Sequence, residues 1–221
     1  MKLLVAQIHS ITGGTESSKS MFKDGVNKAI EIINSQEFKD AVINYSWKDV
    51  KGNIHNNFYQ NKSTYTELPS GKIIERYLSN QEIYDLIMTG WDQFHQTEDG
   101  DLDLQATIYY KAWSSAVGYT YPDTFATWIN QKFWTGSYEN IVAMISGNVT
   151  HEYKHNLGFD HDYDWTIYRD FSVPYAIGTI VHQLAKGIYV AGKNHSYKQV
   201  CSRNWKTLFV TKKCSWVRVD E

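Results

Sequence analysis

The pattern of apolar and polar positions predicts a chain that begins with a strand and continues into an amphipathic helix. Residues 2–8, KLLVAQI, form a short apolar run that is typical of a buried strand. From residue 17 or 18 to about residue 35, apolar residues recur at the three- and four-residue spacing of one helix face. Residues 41–50 are predicted to be a second strand. Residues 51–72 are rich in Asn, Lys and Gly, which predicts an irregular loop with one short strand.

The remaining pattern alternates further helices and strands. Ser79 and Ser137 are residues of the type that caps a helix N-terminus, and Pro174 suits the first turn of a helix. No internal repeat, low-complexity segment or linker interrupts the chain, so a single domain over residues 1–221 is expected. The predicted elements are a helix from residue 80 to about residue 95, strands within 104–112, 115–121 and 125–134, a helix from Ser137 through His155, and a helix from Pro174 to Gly187.

Composition and charge exclude several classes of partner. The 221 residues are enough for one domain with a substantial core. Lys and Arg number 22 and Asp and Glu 24, for a net charge of −2, which is unlike the basic surface of a nucleic-acid-binding protein. No apolar run is long enough to span a bilayer. We therefore expect no nucleic-acid or membrane partner, and a monomer.

The stretch HEYKHNLGFDH has the spacing of a metal site. His151 and His155 would lie on one face of a helix, one turn apart, so that both can reach a single ion. Glu152 follows the first of them and can hold a water on the same ion. Gly158 can adopt backbone angles that other residues avoid, so the chain can leave the helix sharply and bring His161 round as a third ligand. Three protein ligands with one open position are typical of a catalytic Zn²⁺ site.

This motif, HExxHxxGxxH on a predicted helix after strand, helix and strands, resembles that of the metzincin zinc endopeptidases. Asn156, Leu157 and Asp162 also match the adamalysin (reprolysin) pattern HNLGxxHD. Two features differ. Lys154 stands where many relatives have Gly, and no Met follows Met144, although metzincins carry a Met-containing turn beneath the zinc.

The resemblance implies an α+β fold of α/β-sandwich type. A twisted, mostly parallel sheet would have an antiparallel edge strand and would support an active-site helix. It also implies an N-terminal subdomain over residues 1–158 and a small C-terminal subdomain over residues 159–221.

The resemblance further implies a groove for a protein or peptide substrate. Gly118 and Tyr119 would lie on the edge strand that pairs with an extended peptide, an example of strand addition. Pro174 and Tyr175 would lie in the lower wall, where one of them would take the place of the missing Met.

The expected function is zinc-dependent endoproteolysis. Zn²⁺ held by His151, His155 and His161 would activate a water, and Glu152 would act as the general base. A catalytically silent metzincin-fold module that binds a peptide or protein is the alternative, supported by the missing Met. A zinc that serves only folding is a third possibility. Asp162 either anchors the turn around the ligands or is a solvated loop acid.

Cys201 and Cys214 are the only cysteines. A bridge between them would stabilise the fold by roughly 3 kcal/mol in the chain-entropy model. We favour a disulfide over two free thiols, because the cysteines flank a polar, basic loop without other anchors. A disulfide would place the protein in an oxidising compartment, secreted or periplasmic. The first ten residues are too short for a signal peptide, so the leader of an exported protein would be absent from this chain.

Overall fold

A computed structural model describes residues 3–93, 96–121, 124–191, 195–204 and 211–220. In the last two ranges it describes the side chains only at residues 198–200 and 215–218. The described chain is a mixed α+β fold with five α-helices and a central sheet of four strands.

The described α-helices occupy three parts of the chain. They are α1 (Glu16–Ile33), α2 (Gln36–Ile43), α3 (Asn80–Thr89), α4 (Tyr138–Asn156) and α5 (Val173–Ala185). The strands are β1 (Val5–Gly13), β2 (Trp47–Lys48), β3 (Ile54–His55), β4 (Lys62–Glu67), β5 (Lys72–Tyr77), β6 (Asp101–Tyr109), β7 (Gly118–Thr120), β8 (Ala126–Asn130), β9 (His195–Asn204) and β10 (Thr211–Asp220).

The central sheet has the strand order β1-β6-β8-β7. Strands β1, β6 and β8 are parallel, and the three-residue β7 runs antiparallel to β8 at one edge. The prediction of a mostly parallel sheet with an antiparallel edge strand is therefore confirmed. The other strands form the separate antiparallel pairs β2–β3, β4–β5 and β9–β10.

Helix α4 occupies the centre of the fold and packs against both α1 and α5. Its N-terminus is capped as predicted, since the Ser137 side chain accepts a hydrogen bond from the backbone N–H of Asn140. Its buried side chains Ile145 and Val149 belong to the same apolar core as Phe22 of α1.

Two glycines let α4 and α5 approach each other closely. A Cβ on Gly147 would lie 2.7 Å from the carbonyl oxygen of Gly178, and a Cβ on Gly178 would lie 2.8 Å from that of Gly147. A Cβ on Gly178 would also lie 3.1 Å from the Cβ of His151. Any larger residue at either position would have to push the two helices apart.

The strongly periodic helices agree with their predictions. The helices predicted from residue 17 or 18, from Ser137 and from Pro174 correspond to α1, α4 and α5. The capping role predicted for Ser79 is also confirmed, but α3 ends at Thr89, before the predicted residue 95. Gly90 stops α3 because it adopts a left-handed φ of 66° and packs against the backbone of Asp101.

The strand predicted over residues 41–50 is wrong. Ser35 caps a second helix, α2, whose buried Phe38, Ala41 and Val42 follow helical spacing. Only Trp47 and Lys48 form a strand in this region. The short apolar run is compatible with the spacing of a strand and with that of a helix. The helix cap at Ser35 favours the helix.

Residues 51–72 contain more regular structure than the predicted irregular loop with one short strand. They contain β3 and all of β4, and β5 begins at Lys72. The β4–β5 hairpin was missed because most of its residues are polar and partly exposed, so no apolar alternation marks it.

The C-terminal segment contains the long hairpin β9–β10, whose backbone register places Cys201 directly opposite Cys214. Their side chains lie outside the described residues, so the predicted disulfide stays a prediction. Within the described ranges, no helix combines the length and the apolar character needed to cross a membrane.

Lys154 is an unusual feature of the core. Its side chain is 0% exposed, and its Nζ has no hydrogen-bond partner within the described chain. The Nζ lies 4.4 Å from the ring centroid of Tyr153. Burial lowers the pKa of Lys154 well below its usual range. A buried amine without a partner destabilises the folded state.

We therefore expect Lys154→Met to stabilise the protein by about 1–3 kcal/mol, because it keeps the length of the side chain and removes the unpaired polar group. Urea unfolding followed by circular dichroism measures this change. The control is Lys23→Met on the exposed face of α1, which should leave the free energy of unfolding within about 0.5 kcal/mol. A destabilised Lys154→Met protein would contradict the expectation.

Candidate metal centre

Three histidines form the only group of metal-ligating side chains found in the described part of the chain. His151 and His155 project from one face of α4, and His161 comes from the segment that follows it. One ring nitrogen from each histidine lies within 4.8 Å of the others. The ring centroids are 5.0–5.3 Å apart. The predicted ligand set is therefore brought together in a geometry that could hold one metal ion.

Gly158 makes the turn that brings His161 back towards α4. It has a φ of 80°, and a Cβ on it would lie 2.5 Å from the carbonyl oxygen of Thr64 in β4. The Thr64 N–H donates to the Gly158 carbonyl at 2.8 Å, and the Ser63 hydroxyl donates to the Leu157 carbonyl at 2.7 Å. The turn needs glycine both for its backbone angles and for its contact with β4.

Each of the three imidazoles is hydrogen-bonded to a backbone carbonyl. The Nδ1 of His155 lies 2.9 Å from the Phe159 oxygen, and the Nδ1 of His161 lies 3.1 Å from the Asp162 oxygen. His151 is hydrogen-bonded to the backbone of Pro174. Because a carbonyl only accepts, the Nδ1 atoms of His155 and His161 carry the protons, and each Nε2 is free to bind a metal.

The electrostatics of the site favour neutral imidazoles. Burial and the neighbouring imidazoles hold the pKa of His151 well below its usual range, and burial lowers the pKa of His155. Neutral imidazole is the form that binds a metal. The donor set therefore fits a divalent ion that accepts nitrogen ligands.

Asp162 anchors the segment that carries His161. Its carboxylate accepts hydrogen bonds from the Gln60 amide at 2.7 Å and from the Thr166 hydroxyl, and it is also hydrogen-bonded to the side chain of Tyr59. The Asp162 N–H donates to the Gln60 side-chain oxygen at 3.1 Å. Gln60 has a left-handed φ of 52°, which costs backbone energy in a non-glycine residue. Of the two interpretations of Asp162, the structure therefore supports the anchor.

Glu152 is buried beside the three histidines and is clamped between α4 and the sheet edge. One carboxylate oxygen accepts a hydrogen bond from the Asn148 amide at 3.2 Å, and a second hydrogen bond comes from the backbone N–H of Thr120 in β7. Burial raises the pKa of Glu152 to about 8, and these two hydrogen bonds oppose the rise. A cation held by the imidazoles would also favour the ionised carboxylate.

Asn148 in turn packs against Gly118, where a Cβ would lie 2.4 Å from the Asn148 side-chain oxygen. Sequence reasoning missed Asn148, although it precedes Glu152 by one helical turn and the i, i+4 spacing could have identified it.

Tyr175 and Pro174 lie against the histidines from the side of α5. The Tyr175 ring centroid is 4.5 Å from that of His151 and 4.7 Å from that of His161. Burial raises the pKa of Tyr175, so its hydroxyl is protonated at neutral pH. Pro174 is buried and contributes its carbonyl to His151. The start of α5 therefore supports the histidines through the Tyr175 ring and the Pro174 backbone.

A cavity of about 1030 Å³ opens over the histidines. The predicted residues Gly118, Tyr119, Glu152 and Tyr175 line it together with the three histidines, whereas Pro174 does not. Residues 115–120, including the edge strand β7, form one wall, and α5 forms the opposite wall. Arg169 also lines the cavity and was not anticipated from the sequence, because no motif marks it.

Comparisons of this chain with protein-family models, with curated proteins and with solved structures found no match. The functional reading of the site therefore depends on its own geometry.

We expect Asp162→Ala to weaken metal binding by about 10- to 100-fold, because the segment that carries His161 loses the side-chain contacts that fix it. Isothermal titration of the metal-free protein with Co²⁺ measures the affinity. Asp164→Ala is the matched control, since Asp164 is exposed and lies two residues further along the same segment. Equal affinities for the two variants would show that Asp162 does not position His161.

Proposed function

We propose that this protein is a zinc-dependent endopeptidase of metzincin type, which hydrolyses peptide bonds in an extended protein or peptide segment. The observation that carries the proposal is the combination at one cavity of three histidine side chains that could hold one metal ion and the buried carboxyl group of Glu152. Glu152 follows the ligand His151 on the same helix, so its carboxylate faces the space beside the metal position.

The donor set supports zinc as the metal. Three imidazoles with an open fourth position are the ligand set of several catalytic zinc sites, and each imidazole here has the outer hydrogen bond typical of them. When bound there, zinc would act as a Lewis acid that lowers the pKa of a water and polarises the scissile carbonyl.

The chain's own residues supply the proton transfer. In the proposed mechanism the Glu152 carboxylate accepts a proton from the attacking water and passes it to the nitrogen of the departing amine. Asn148 and the Thr120 N–H hold that carboxylate in place, so little side-chain freedom is lost when it acts.

The shape of the cavity supports an extended substrate. Strand β7 is the edge of the central sheet, and residues 115–120 form one wall of the cavity. A peptide lying along this wall could pair with the edge strand and present one of its carbonyls to the metal position. Gly118 and Tyr119 would then contact the substrate backbone, and Tyr175 would lie in the opposite wall.

The alternative is a catalytically silent module with the same fold. Its support was the missing Met, and we propose that the Tyr175 ring and the Pro174 carbonyl, which contact the histidines, take the place of that residue. Titration with a hydroxamate inhibitor followed by a peptide-library cleavage assay separates the two functions. A silent module would bind the inhibitor and cleave no peptide.

We expect Glu152→Gln to retain the metal and to lose at least about 100-fold in kcat, because the amide cannot accept the proton. Cleavage of an unfolded protein, followed by mass spectrometry, measures the loss, and metal analysis measures occupancy. The control is Glu139→Gln, an exposed residue in the first turn of the same helix, which should retain full activity. Equal activity of Glu152→Gln and the wild type would contradict the proposed function.

Removal of the metal should abolish cleavage without unfolding the protein. The apolar core joins α1, α4, α5 and the sheet and does not depend on the three histidines. After chelation, far-UV circular dichroism at 25 °C should therefore keep its native signal, and added Zn²⁺ should restore activity. Global unfolding on chelation would instead identify a metal that serves only folding.

A further inference from the structure

Arg169 is a cation in the metal-site cavity that the proposed mechanism leaves unused. It lies in the short 3-10 turn Arg169–Phe171 that precedes α5, and its side chain lines the cavity. The guanidinium carbon lies 4.8 Å from the ring centroid of Tyr175. The Tyr175 ring in turn contacts His151 and His161. The guanidinium is therefore one side chain away from the metal ligands.

The guanidinium has no anionic partner in the described chain. Its Nε is buried without a hydrogen-bond partner, and none of the ion pairs within the described residues includes Arg169. The guanidinium is a cationic hydrogen-bond donor on a partly buried residue. The folded protein therefore holds at the cavity a cationic donor group that a ligand anion could bind.

The acids that share the cavity are already engaged elsewhere. The Glu152 carboxylate accepts hydrogen bonds from Asn148 and from the Thr120 N–H. One carboxylate oxygen of Asp160 accepts the N–H of His161 at 2.8 Å. Neither of these contacts involves Arg169.

The position of the guanidinium is well defined. Stacking on Tyr175 holds it by a cation–π contact. Its backbone N–H donates to the Thr166 hydroxyl at 3.1 Å, and that hydroxyl donates to Asp162. The same hydrogen-bond network thus fixes both Arg169 and the segment that carries His161. A planar, fixed fork of N–H donors matches a carboxylate, which it can bind through two parallel hydrogen bonds.

We propose that Arg169 forms a carboxylate-binding subsite beside the metal, and that the preferred substrates place an acidic group next to the scissile bond. The subsite rests on the proposed endopeptidase function and adds a substrate class to it. The carboxylate is either that of an Asp or Glu side chain or that of a peptide C-terminus. Both sources offer the same chemistry to the guanidinium.

Binding to an inactive protein tests the subsite separately from turnover. The probe is a capped, otherwise neutral octapeptide series in which one Glu is placed at each position in turn, matched by a series with Gln. Dissociation constants are measured by fluorescence anisotropy on zinc-loaded Glu152→Gln protein. We expect one position at which Glu binds at least tenfold more tightly than Gln. A third series compares peptides with free and amidated C-termini. If the free C-terminus increases affinity more than the change from Gln to Glu does, the subsite binds the carboxylate of a chain end.

Arg169 variants in the same inactive background identify the residue responsible. Arg169→Gln should reduce the preference for Glu to less than twofold. Arg169→Lys should retain only part of it, because the ammonium keeps the charge and loses the fork. Arg76→Gln, which removes the same charge from an exposed position on β5, should keep the full preference. Thermal unfolding and zinc affinity check that each variant is folded. If Arg169→Gln does not fold, the result for Arg169→Lys decides.

The outcomes separate the two proposals. A twofold or smaller difference between Glu and Gln at every position, no measurable binding of the Glu series, or a preference that persists without Arg169 would each overturn the subsite. Cleavage of neutral peptides by the wild type would then leave the endopeptidase standing. If the preference is present but the wild type cleaves none of the peptides it binds, the subsite stands and the endopeptidase function fails.

Discussion

The close approach of α4 to α5 at Gly147 and Gly178 is the constraint on which the metal centre depends. Neither position has room for a Cβ, and the second one also abuts His151. Because the helices meet here, the start of α5 brings the Pro174 carbonyl and the Tyr175 ring against the histidines. One helix carries ligands and the other orients them. The distance between the helices, which the two glycines allow to be short, thereby fixes the orientation of the His151 imidazole and one wall of the cavity.

The two walls of the cavity differ in kind. The wall formed by residues 115–120 includes the edge strand β7, whose backbone could pair with an extended chain of any sequence. The opposite wall contains Tyr175 and Arg169, whose ring and charge would discriminate between substrate side chains in the proposed function. Such a site would bind the backbone of many peptides along residues 115–120 and would select among their side chains at the wall with Tyr175 and Arg169. The buried carboxylate of Glu152 is held between the walls by Asn148 and β7.

Local signals in the sequence predicted the centre of the fold and the ligands of the site. Helix α4 was recognised because the Ser137 cap, the apolar spacing and the motif agree with one another. Residues 41–50 were mistaken for a strand because their apolar run is too short to distinguish a strand from a helix. The β4–β5 hairpin was missed because its mostly polar pattern does not distinguish a strand from a loop. Gln60 and Arg169 could not be assigned roles in this way, because their partners are decided by tertiary contacts, whereas the i, i+4 spacing from Glu152 could have identified Asn148. The Gln60 amide, for example, bonds Asp162, 102 positions along the chain.

The dependence of His161 on β4 and Gln60 has a consequence for the order of events in folding. His151 and His155 are one turn apart, so a nascent α4 alone could offer two ligands. The third is placed by contacts that span 94 residues, from Ser63 to Leu157, and 102 residues, from Gln60 to Asp162. Such contacts form only after a long loop has closed. In the proposed function, tight metal binding would therefore come late in folding, and a partly folded chain would bind the ion weakly and exchange it readily.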